Sequence, residues 1–213
     1  MPGSWEYERP SVLVAILTRG VVPIKWAISF RDMQIPHTGK PVFLSGMPFD
    51  HARNVAVETA LSQNFTHLLF LDDDVMPPPD VYYRLAAHNL DIVSGLYHRR
   101  QNPIVPVALK SNGNGGYEWV TTYDKGSLID VDLVGAGCLL IHRMVLERMS
   151  KPWFDWLIDR DDVPAGERVS EDFAFCIKAK KMGLSIKLDT SVECAHAGYG
   201  YSDSDRYLKP LEL

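Results

Sequence analysis

The chain has 213 residues, of which 46% are hydrophobic and 23% are charged, and its formal net charge is −5 at pH 7. This composition is typical of one globular domain with a full core, and it disfavours a nucleic-acid-binding protein, because the largest basic cluster is confined to residues 178–181. No apolar run approaches the ~20 residues that span a bilayer, and residues 1–10 lack the pattern of a signal peptide, so the sequence predicts a cytoplasmic protein without a transmembrane segment.

Strands and helices alternate in the first half of the chain. Strands are predicted at residues 12–17, 41–45 and 66–71. Helices are predicted at residues 23–33, 51–63 and 79–89. This alternation indicates βαβ units and a parallel sheet.

The second half has a different pattern. Strand-like segments at 91–97, 104–109, 117–123 and 128–134 are separated by Gly- and Asn-rich turns, which indicates antiparallel additions. After a glycine turn come an apolar run, a helix at about 143–149 and a loop at 151–169. A helix at 171–182 follows, with Ser170 as its predicted cap and Gly183 as its predicted stop. Short strands at 185–188 and 191–194 and a polar tail complete the chain. The prediction is one α/β, Rossmann-like domain with a mostly parallel central sheet and antiparallel additions in its C-terminal half.

The most informative motif is Asp72-Asp73-Asp74, which directly follows a buried strand and precedes three prolines. The acids are therefore expected at the carboxyl end of a central strand, where open α/β sheets bind their ligands. Residues two apart on an extended chain point the same way, so Asp72 and Asp74 could share a divalent cation that relieves their repulsion. Such a site suits Mg²⁺ or Mn²⁺. The alternative is a solvated acidic turn with Asp80 capping the next helix.

Three further features can be interpreted in two ways. Glu171 and Asp172 lie in the first turn of a helix, where they are either functional acids or partners of the helix dipole. His196 follows the last strand, where it is either a metal ligand or a structural residue. The turn at residues 135–137 has small residues that would let a ligand approach the backbone, or it is only a tight connection.

The order of these motifs resembles the GT-A fold glycosyltransferases, especially the family-2-like inverting group. The resemblance runs from about residue 13 to residue 198. It rests on Thr18-Arg19 after the first strand, Ala52-Arg53-Asn54 at a helix start, Asp72-Asp73-Asp74 as the DxD motif, the Gly135-Ala136-Gly137 turn, Glu171-Asp172 as the xED motif, and His196. It implies a GT-A-like domain with a nucleotide-sugar half at about 11–100, an acceptor and catalytic half at about 101–198, and a tail at 199–213.

The resemblance also implies the chemistry. The donor would be a nucleoside diphosphate sugar, with UDP favoured over GDP, and the acceptor would be a hydroxyl of a glycan, lipid or protein. Asp74, Asp72 and His196 would bind Mn²⁺ or Mg²⁺, with Asp72 also facing the nucleoside and Asp73 assisting either role. Asp172, beside Glu171, would be the general base of an inverting reaction.

Residues for the nucleotide and the acceptor follow in the same way. Thr18, Arg19 and Arg53 would lie near the nucleotide, and the turn at residues 135–137 would approach the donor. Trp153 and Trp156 precede the acidic helix in a segment of loop composition. They could stack on an acceptor sugar, or they could pack the loop onto the core.

Two other functions remain open from the sequence. A sugar-nucleotide nucleotidyltransferase would need a Gly-rich phosphate loop after the first strand, and Gly20 is the single glycine in that segment. A non-catalytic nucleotide-sugar-binding module would not need Asp172.

Overall fold

The computed structural model describes residues 10–158 and 168–197. The first half contains β1 (Val12–Leu17), α1 (Ile24–Asp32), β2 (Lys40–Leu44), α2 (Phe49–Ser62), β3 (His67–Asp72), β4 (Val75–Met76), α3 (Val81–Ala87) and β5 (Ile92–Leu96). The second half contains β6 (Ala108–Ser111), β7 (Tyr117–Trp119), β8 (Leu128–Val131), β9 (Leu133–Val134), β10 (Cys138–His142), α4 (Arg143–Arg148), β11 (Leu157–Ile158), β12 (Arg168–Val169), α5 (Glu171–Lys181), β13 (Ile186–Glu193) and β14 (Ala195–His196).

A seven-stranded sheet with the order β2-β1-β3-β10-β5-β13-β8 forms the centre of the molecule. β1 is parallel to β2 and β3, and β13 is parallel to β5. β10 is antiparallel to both β3 and β5, so β5 points the same way as β3. Five strands therefore share one direction, and β10 and β8 oppose it, which confirms the predicted mostly parallel sheet with antiparallel additions.

The position of β10 in the middle of the sheet differs from the simple βαβ pattern of the first half. Its residues Cys138 to Ile141 are buried, as are residues 68–71 of β3 and all of β5. A strand buried on both faces is apolar throughout, and that pattern carries no information about strand direction. The sequence indicated an apolar run after the glycine turn, but not its place in the sheet.

The hydrophobic core lies on both faces of the sheet, and β1 contributes to each. Leu13 and Leu17 belong to the cluster that includes α2, whereas Val14 and Ile16 belong to the cluster that includes Trp26. Burying each such side chain contributes about 1.5–3 kcal/mol relative to exposure. This packing fixes the register of β1 and therefore the place where the segment after it begins.

Several boundaries differ from those predicted. The segment predicted at 104–109 begins at Ala108, and the segment at 128–134 is divided at Asp132, whose N–H donates to the carbonyl of Leu109 (2.9 Å). The two last predicted strands are one strand, β13, with an irregular register after Asp189. Residues 159–167 of the predicted loop and the tail from residue 198 lie outside the described residues.

The helix ends show which local predictions were correct. Gly183 has a φ of +76° and stops α5, as predicted, because glycine adopts this conformation without strain. Asp80 precedes α3 but makes no capping hydrogen bond, so its predicted capping role is wrong; its carboxylate lies 3.8 Å from Arg84 instead. Ser170 precedes α5, but its hydroxyl donates to the carboxylate of Asp172 rather than accepting from the backbone.

Among the helices of residues 10–158 and 168–197, none is long and apolar enough to cross a bilayer.

Candidate active site

The candidate site lies where the carboxyl ends of β1, β3, β5 and β13 meet. Because β10 runs the opposite way, its amino end lies at the same place, with Cys138 opposite Leu71. Open α/β sheets bind ligands at this end of their strands. The topology therefore brings together five segments that are far apart in sequence, namely residues 18–19, 72–74, 97–100, 135–137 and 195–197.

Asp74 and His196 are adjacent because the short strands β4 and β14 pair. Val75 lies opposite His196, and the N–H of Ala197 donates to the carbonyl of Asp74 (2.7 Å). The Oδ1 of Asp74 is 3.4 Å from the Nε2 of His196. Two of the three predicted metal ligands are thus neighbours.

The imidazole of His196 is oriented by a backbone group. Its Nδ1 lies 2.8 Å from the carbonyl oxygen of His98, which can only accept, so Nδ1 carries the proton. Burial lowers the pKa of His196, which favours the neutral ring. Nε2 is therefore the ring nitrogen that carries the lone pair, as a metal ligand requires, and it lies beside the Asp74 carboxylate.

The chemistry of this pair fits a divalent cation that is shared with a bound ligand. Carboxylate oxygen and imidazole nitrogen bind such ions at about 2.0–2.2 Å, so two donors on one ion lie roughly 3 Å apart. No group of three or more His, Cys, Asp or Glu side chains within the described ranges is arranged to hold a metal alone. Mg²⁺ commonly takes one or two carboxylates and completes its coordination with substrate phosphates.

The three consecutive aspartates have three different partners. β3 ends at Asp72 and the chain turns at residues 73 and 74, so the extended geometry expected for this motif stops there. Oδ1 of Asp72 accepts from Arg53 (3.3 Å), and Oδ2 of Asp73 accepts from the N–H of Arg19 (3.2 Å). Asp74 faces His196. That Asp72 and Asp74 share one target stays a prediction, and both line the same cavity.

Arg53 lies beneath the site, in a buried ion pair. Its Nε donates to Glu171 (3.1 Å), and the two side chains are only 4% and 6% exposed. Burial alone would lower the pKa of Arg53, but Asp72, Glu171 and Asp172 outweigh it and raise that pKa. Burial also raises the pKa of Glu171, Asp172 adds to this, and Arg53 opposes it. Arg53 thus joins the DxD-like and xED-like motifs from below, rather than lying open to a nucleotide.

Asn54, the next residue of α2, fixes the segment before the acidic helix. Its Oδ1 accepts from the N–H groups of Trp153 (3.0 Å) and Phe154 (3.2 Å), and its Nδ2 donates to the carbonyl of Phe154 (2.7 Å). Phe154 stacks on Phe175 of α5 with ring centroids 4.6 Å apart. The start of α2 therefore positions α5, which carries Asp172.

Asp172 is held at the glycine turn. Its Oδ2 accepts from the N–H of Ala136 (3.2 Å), and its Oδ1 accepts from the N–H of Phe173 (2.8 Å) and from the hydroxyl of Ser170. The carbonyl of Gly137 accepts from the N–H of Asp72 (3.0 Å), so this turn connects the two acidic motifs. The carboxylate of Asp172 is only partly buried and has a fixed orientation.

The glycines of the turn make room for Tyr97, which the sequence analysis did not identify. The hydroxyl oxygen of Tyr97 accepts from the N–H of Gly137 (3.0 Å). A Cβ at Gly135 would lie 2.1 Å from this oxygen, and one at Gly137 would lie 2.9 Å from the ring. Burial raises the pKa of Tyr97 far above its usual value, and the charges of Asp72 and Asp172 add to this. The close approach that the sequence suggested for a ligand is made by a side chain of the protein.

We expect Gly135→Ala to lower the free energy of unfolding by about 1–3 kcal/mol, because the added methyl overlaps the Tyr97 hydroxyl in a packed core. Urea unfolding of Gly135→Ala, Tyr97→Phe and the double variant tests this. The double variant should lose less than the sum of the single losses, because Tyr97→Phe removes the clashing oxygen. Gly116→Ala is the control, since its Cβ would meet only the end of the Asn112 side chain, at 3.0 Å. Additive losses would contradict the overlap.

Two adjoining cavities open beside the acidic residues. The larger, of about 590 Å³, is lined by all three aspartates, Arg19 and Arg100. The smaller, of about 400 Å³, is lined by Thr18, Arg19 and Phe49. Both volumes lie in the range of small-molecule sites. Phe49 and Arg100 were not identified from the sequence, since an exposed aromatic at a helix start and an arginine in a loop are ordinary features.

The two tryptophans have different surroundings. Trp153 is 3% exposed, and its indole N–H donates to the carbonyl of Leu146 (2.8 Å). It packs in the core, which is the second of the two roles considered for it. Trp156 is 39% exposed and has a face available.

The central sheet and its flanking helices have the GT-A fold, which is found in glycosyltransferases. Three solved structures share it. A197 from STIV matches with a TM-score of 0.61 and 21% identity over 89% of this chain and 86% of that chain. GalNAc-T7 with UDP, GalNAc and Mn²⁺ has a TM-score of 0.53 and 11% identity over 88% of this chain. S. aureus TarS 1–349 has a TM-score of 0.53 and 13% identity over 87% of this chain.

The chain spans 43% of the GalNAc-T7 chain and 60% of the TarS chain. No protein-family model matches the chain, and no curated protein matches it in sequence. At these identities the similarity is one of fold.

Proposed function

We propose that the chain is a metal-dependent glycosyltransferase that moves a sugar from a nucleoside diphosphate sugar to an acceptor hydroxyl. The observation that carries this proposal is the Asp74–His196 pair, 3.4 Å apart and beside a cavity of about 590 Å³ at the carboxyl end of the sheet. The pair supplies two donors for Mn²⁺ or Mg²⁺ and leaves the remaining positions to a diphosphate.

The two cavities suggest how the donor lies. The nucleoside would occupy the smaller cavity, where Thr18 offers a hydroxyl and Phe49, 41% exposed, offers an aromatic face. The diphosphate would then reach Asp74 in the larger cavity, which shares Arg19 with the smaller one, and His196 lies beside Asp74. UDP is favoured as the nucleotide, with GDP as the alternative. Two solved structures of similar fold, GalNAc-T7 with UDP, GalNAc and Mn²⁺ and TarS with UDP-GlcNAc, support this choice.

In the proposed reaction Asp172 is the general base. The metal, when bound, offsets the charge that develops on the departing diphosphate. The acceptor oxygen bonds to the anomeric carbon as the bond from that carbon to the diphosphate breaks, and Asp172 takes the acceptor proton. Attack on the face opposite the diphosphate inverts the configuration of the sugar. The hydrogen bonds from Ala136 and Phe173 hold the carboxylate in place for this role.

Asp74→Ala should abolish the Mn²⁺ dependence of UDP binding, because His196 alone offers one neutral donor. Calorimetry with UDP, with and without Mn²⁺, is the measurement. Asp80→Ala is the matched control: it removes the same charge from a residue that lies beyond the site and pairs loosely with Arg84. Both variants should remain folded, since Asp74→Ala relieves repulsion among the three aspartates and Asp80 is an exposed residue with one loose ion pair. Unchanged Mn²⁺-dependent affinity in Asp74→Ala would remove Asp74 from the metal site.

Transfer itself is tested by incubating the protein with UDP-sugars, Mn²⁺ and a panel of glycan, lipid and peptide acceptors. Release of UDP that increases with acceptor supports the proposal. Tight UDP binding with neither transfer nor donor hydrolysis would instead identify a binding module. Pyrophosphate release from UTP and a sugar 1-phosphate would identify a nucleotidyltransferase.

A further inference from the structure

Arg100 places a cation between the two proposed metal ligands. One guanidinium nitrogen of Arg100 forms an ion pair with Oδ2 of Asp74, and its Nε donates to the Nε2 of His196 at 3.0 Å. The remaining oxygen of Asp74 is the one that lies 3.4 Å from the imidazole. The guanidinium thus uses the same carboxylate and the same ring nitrogen that a divalent ion would use.

The loop that carries Arg100 is anchored while its side chain is accessible. The N–H of Arg99 donates to the carbonyl of Val105 (2.9 Å), and His98 forms a β-bridge with Pro106. Arg100 is the next residue after this anchored backbone. Its side chain is 44% exposed and lines the larger cavity. The exposed side chain can therefore change rotamer beside the cavity while the backbone contacts of residues 98 and 99 are kept.

A divalent cation and the guanidinium cannot both use the Nε2 of His196, because that nitrogen of the neutral ring has a single lone pair. Bound in the same cavity, a diphosphate would present oxygens that match the fork of a guanidinium. The lost contacts with Asp74 would then be replaced by contacts with a second anion.

We propose that Arg100 is a diphosphate-binding residue that occupies the metal position until the metal arrives. Metal entry displaces its guanidinium from Asp74 and His196, and the guanidinium then binds the diphosphate of the donor. This inference rests on the proposed function, since it needs a metal and a nucleoside diphosphate at the site. It adds two features to that function. Arg100 competes with the metal for Asp74 and His196, and its guanidinium then becomes a second cation on the departing diphosphate.

The first test measures Mn²⁺ binding without nucleotide, by electron paramagnetic resonance of free Mn²⁺. We expect Arg100→Gln to bind Mn²⁺ on the order of 10-fold more tightly than the unmodified protein, because the competing cation is gone. Arg99→Gln is the matched control, because it removes the same charge from the neighbouring residue, whose guanidinium lies 4.4 Å from the ring centre of Trp119. Arg99→Gln should leave Mn²⁺ affinity unchanged.

The second test measures nucleotide binding at saturating Mn²⁺, by calorimetry with UDP and with UMP. We expect Arg100→Gln to weaken UDP binding on the order of 10-fold and UMP binding much less, since the guanidinium is assigned to the diphosphate. Arg99→Gln should again behave as the unmodified protein.

The outcomes separate this inference from the proposed function. Mn²⁺-dependent UDP binding with no change of Mn²⁺ affinity in Arg100→Gln would overturn the inference and leave the metal site in place. Weaker Mn²⁺ binding in Arg100→Gln would overturn it as well, because Arg100 would then support the metal site. UDP binding that needs Arg100 but ignores Mn²⁺ and chelators would overturn both, and would make Arg100 the cation of a metal-independent site.

Discussion

Asp172→Asn is expected to lower the rate of sugar transfer by on the order of 10²-fold or more, because an amide cannot take the acceptor proton. Donor affinity should be retained, since Asp74 and His196 form the metal pair without it. A small loss of stability should accompany the change. The carboxylate accepts from the N–H of Ala136 with one oxygen, and an amide nitrogen there would oppose another donor, which costs about 1–3 kcal/mol.

Two variants separate a base from a residue that only orders the turn. Ser170→Ala removes the hydroxyl that donates to Asp172 but keeps the carboxylate, so most of the transfer rate should remain. Glu171→Gln should cost less than Asp172→Asn, because Glu171 is buried against Arg53 and away from an acceptor. Near-normal transfer by Asp172→Asn would remove it as the base. If Glu171→Gln were then the inactive variant, the two roles would be exchanged.

Arg53→Met is expected to lower the free energy of unfolding by about 3–5 kcal/mol, the usual cost of removing one partner from a buried ion pair. Methionine keeps much of the length of the side chain, so the loss would come mainly from charge. Glu171 would remain buried without its cation, and Asp72 would lose a hydrogen bond of 3.3 Å. Urea unfolding followed by circular dichroism measures the effect.

A second substitution and a surface control sharpen this test. Adding Glu171→Gln to Arg53→Met should recover part of the loss, because it neutralises the stranded carboxylate. Lys151→Met removes another cation, 2.7 Å from Glu58, but there the side chains are 65% and 55% exposed. That variant should lose less than about 1 kcal/mol. If Arg53→Met lost as little stability as Lys151→Met, the assigned role of Arg53 beneath the site would be contradicted.

The part of the site that follows strands could be predicted from the sequence. Asp72 and His196 each adjoin an apolar segment, and parallel strands bring their carboxyl ends together whatever their separation along the chain. The fold class followed from the same alternation of strands and helices. Each of these inferences needs only the burial and direction of neighbouring segments, and local sequence patterns indicate both.

The side-chain partnerships could not be predicted in this way. Arg53 and Glu171 are 118 residues apart, and neither position indicates that a guanidinium would be buried between two acidic motifs. The fit of Tyr97 against Gly135 depends on β10 lying beside β5, which the apolar run did not reveal. The sequence also did not reveal that the extended strand ends at Asp72 and that a turn follows at residues 73 and 74. These features depend on tertiary contacts between segments whose own sequences do not indicate that the segments meet.

The place of β10 also determines when the sheet can be completed during synthesis. β3 and β5 have no hydrogen bonds with each other, and β10 joins them only when residues 138–142 have been made. Until then, β3 has an apolar edge without a partner, and β5 is not connected to β1 through the sheet. Contacts of such long sequence separation slow folding and leave strand edges open to association with other chains. A fragment ending near residue 100 therefore lacks the strand that joins β3 to β5, and residues 11–100 cannot form the continuous sheet by themselves.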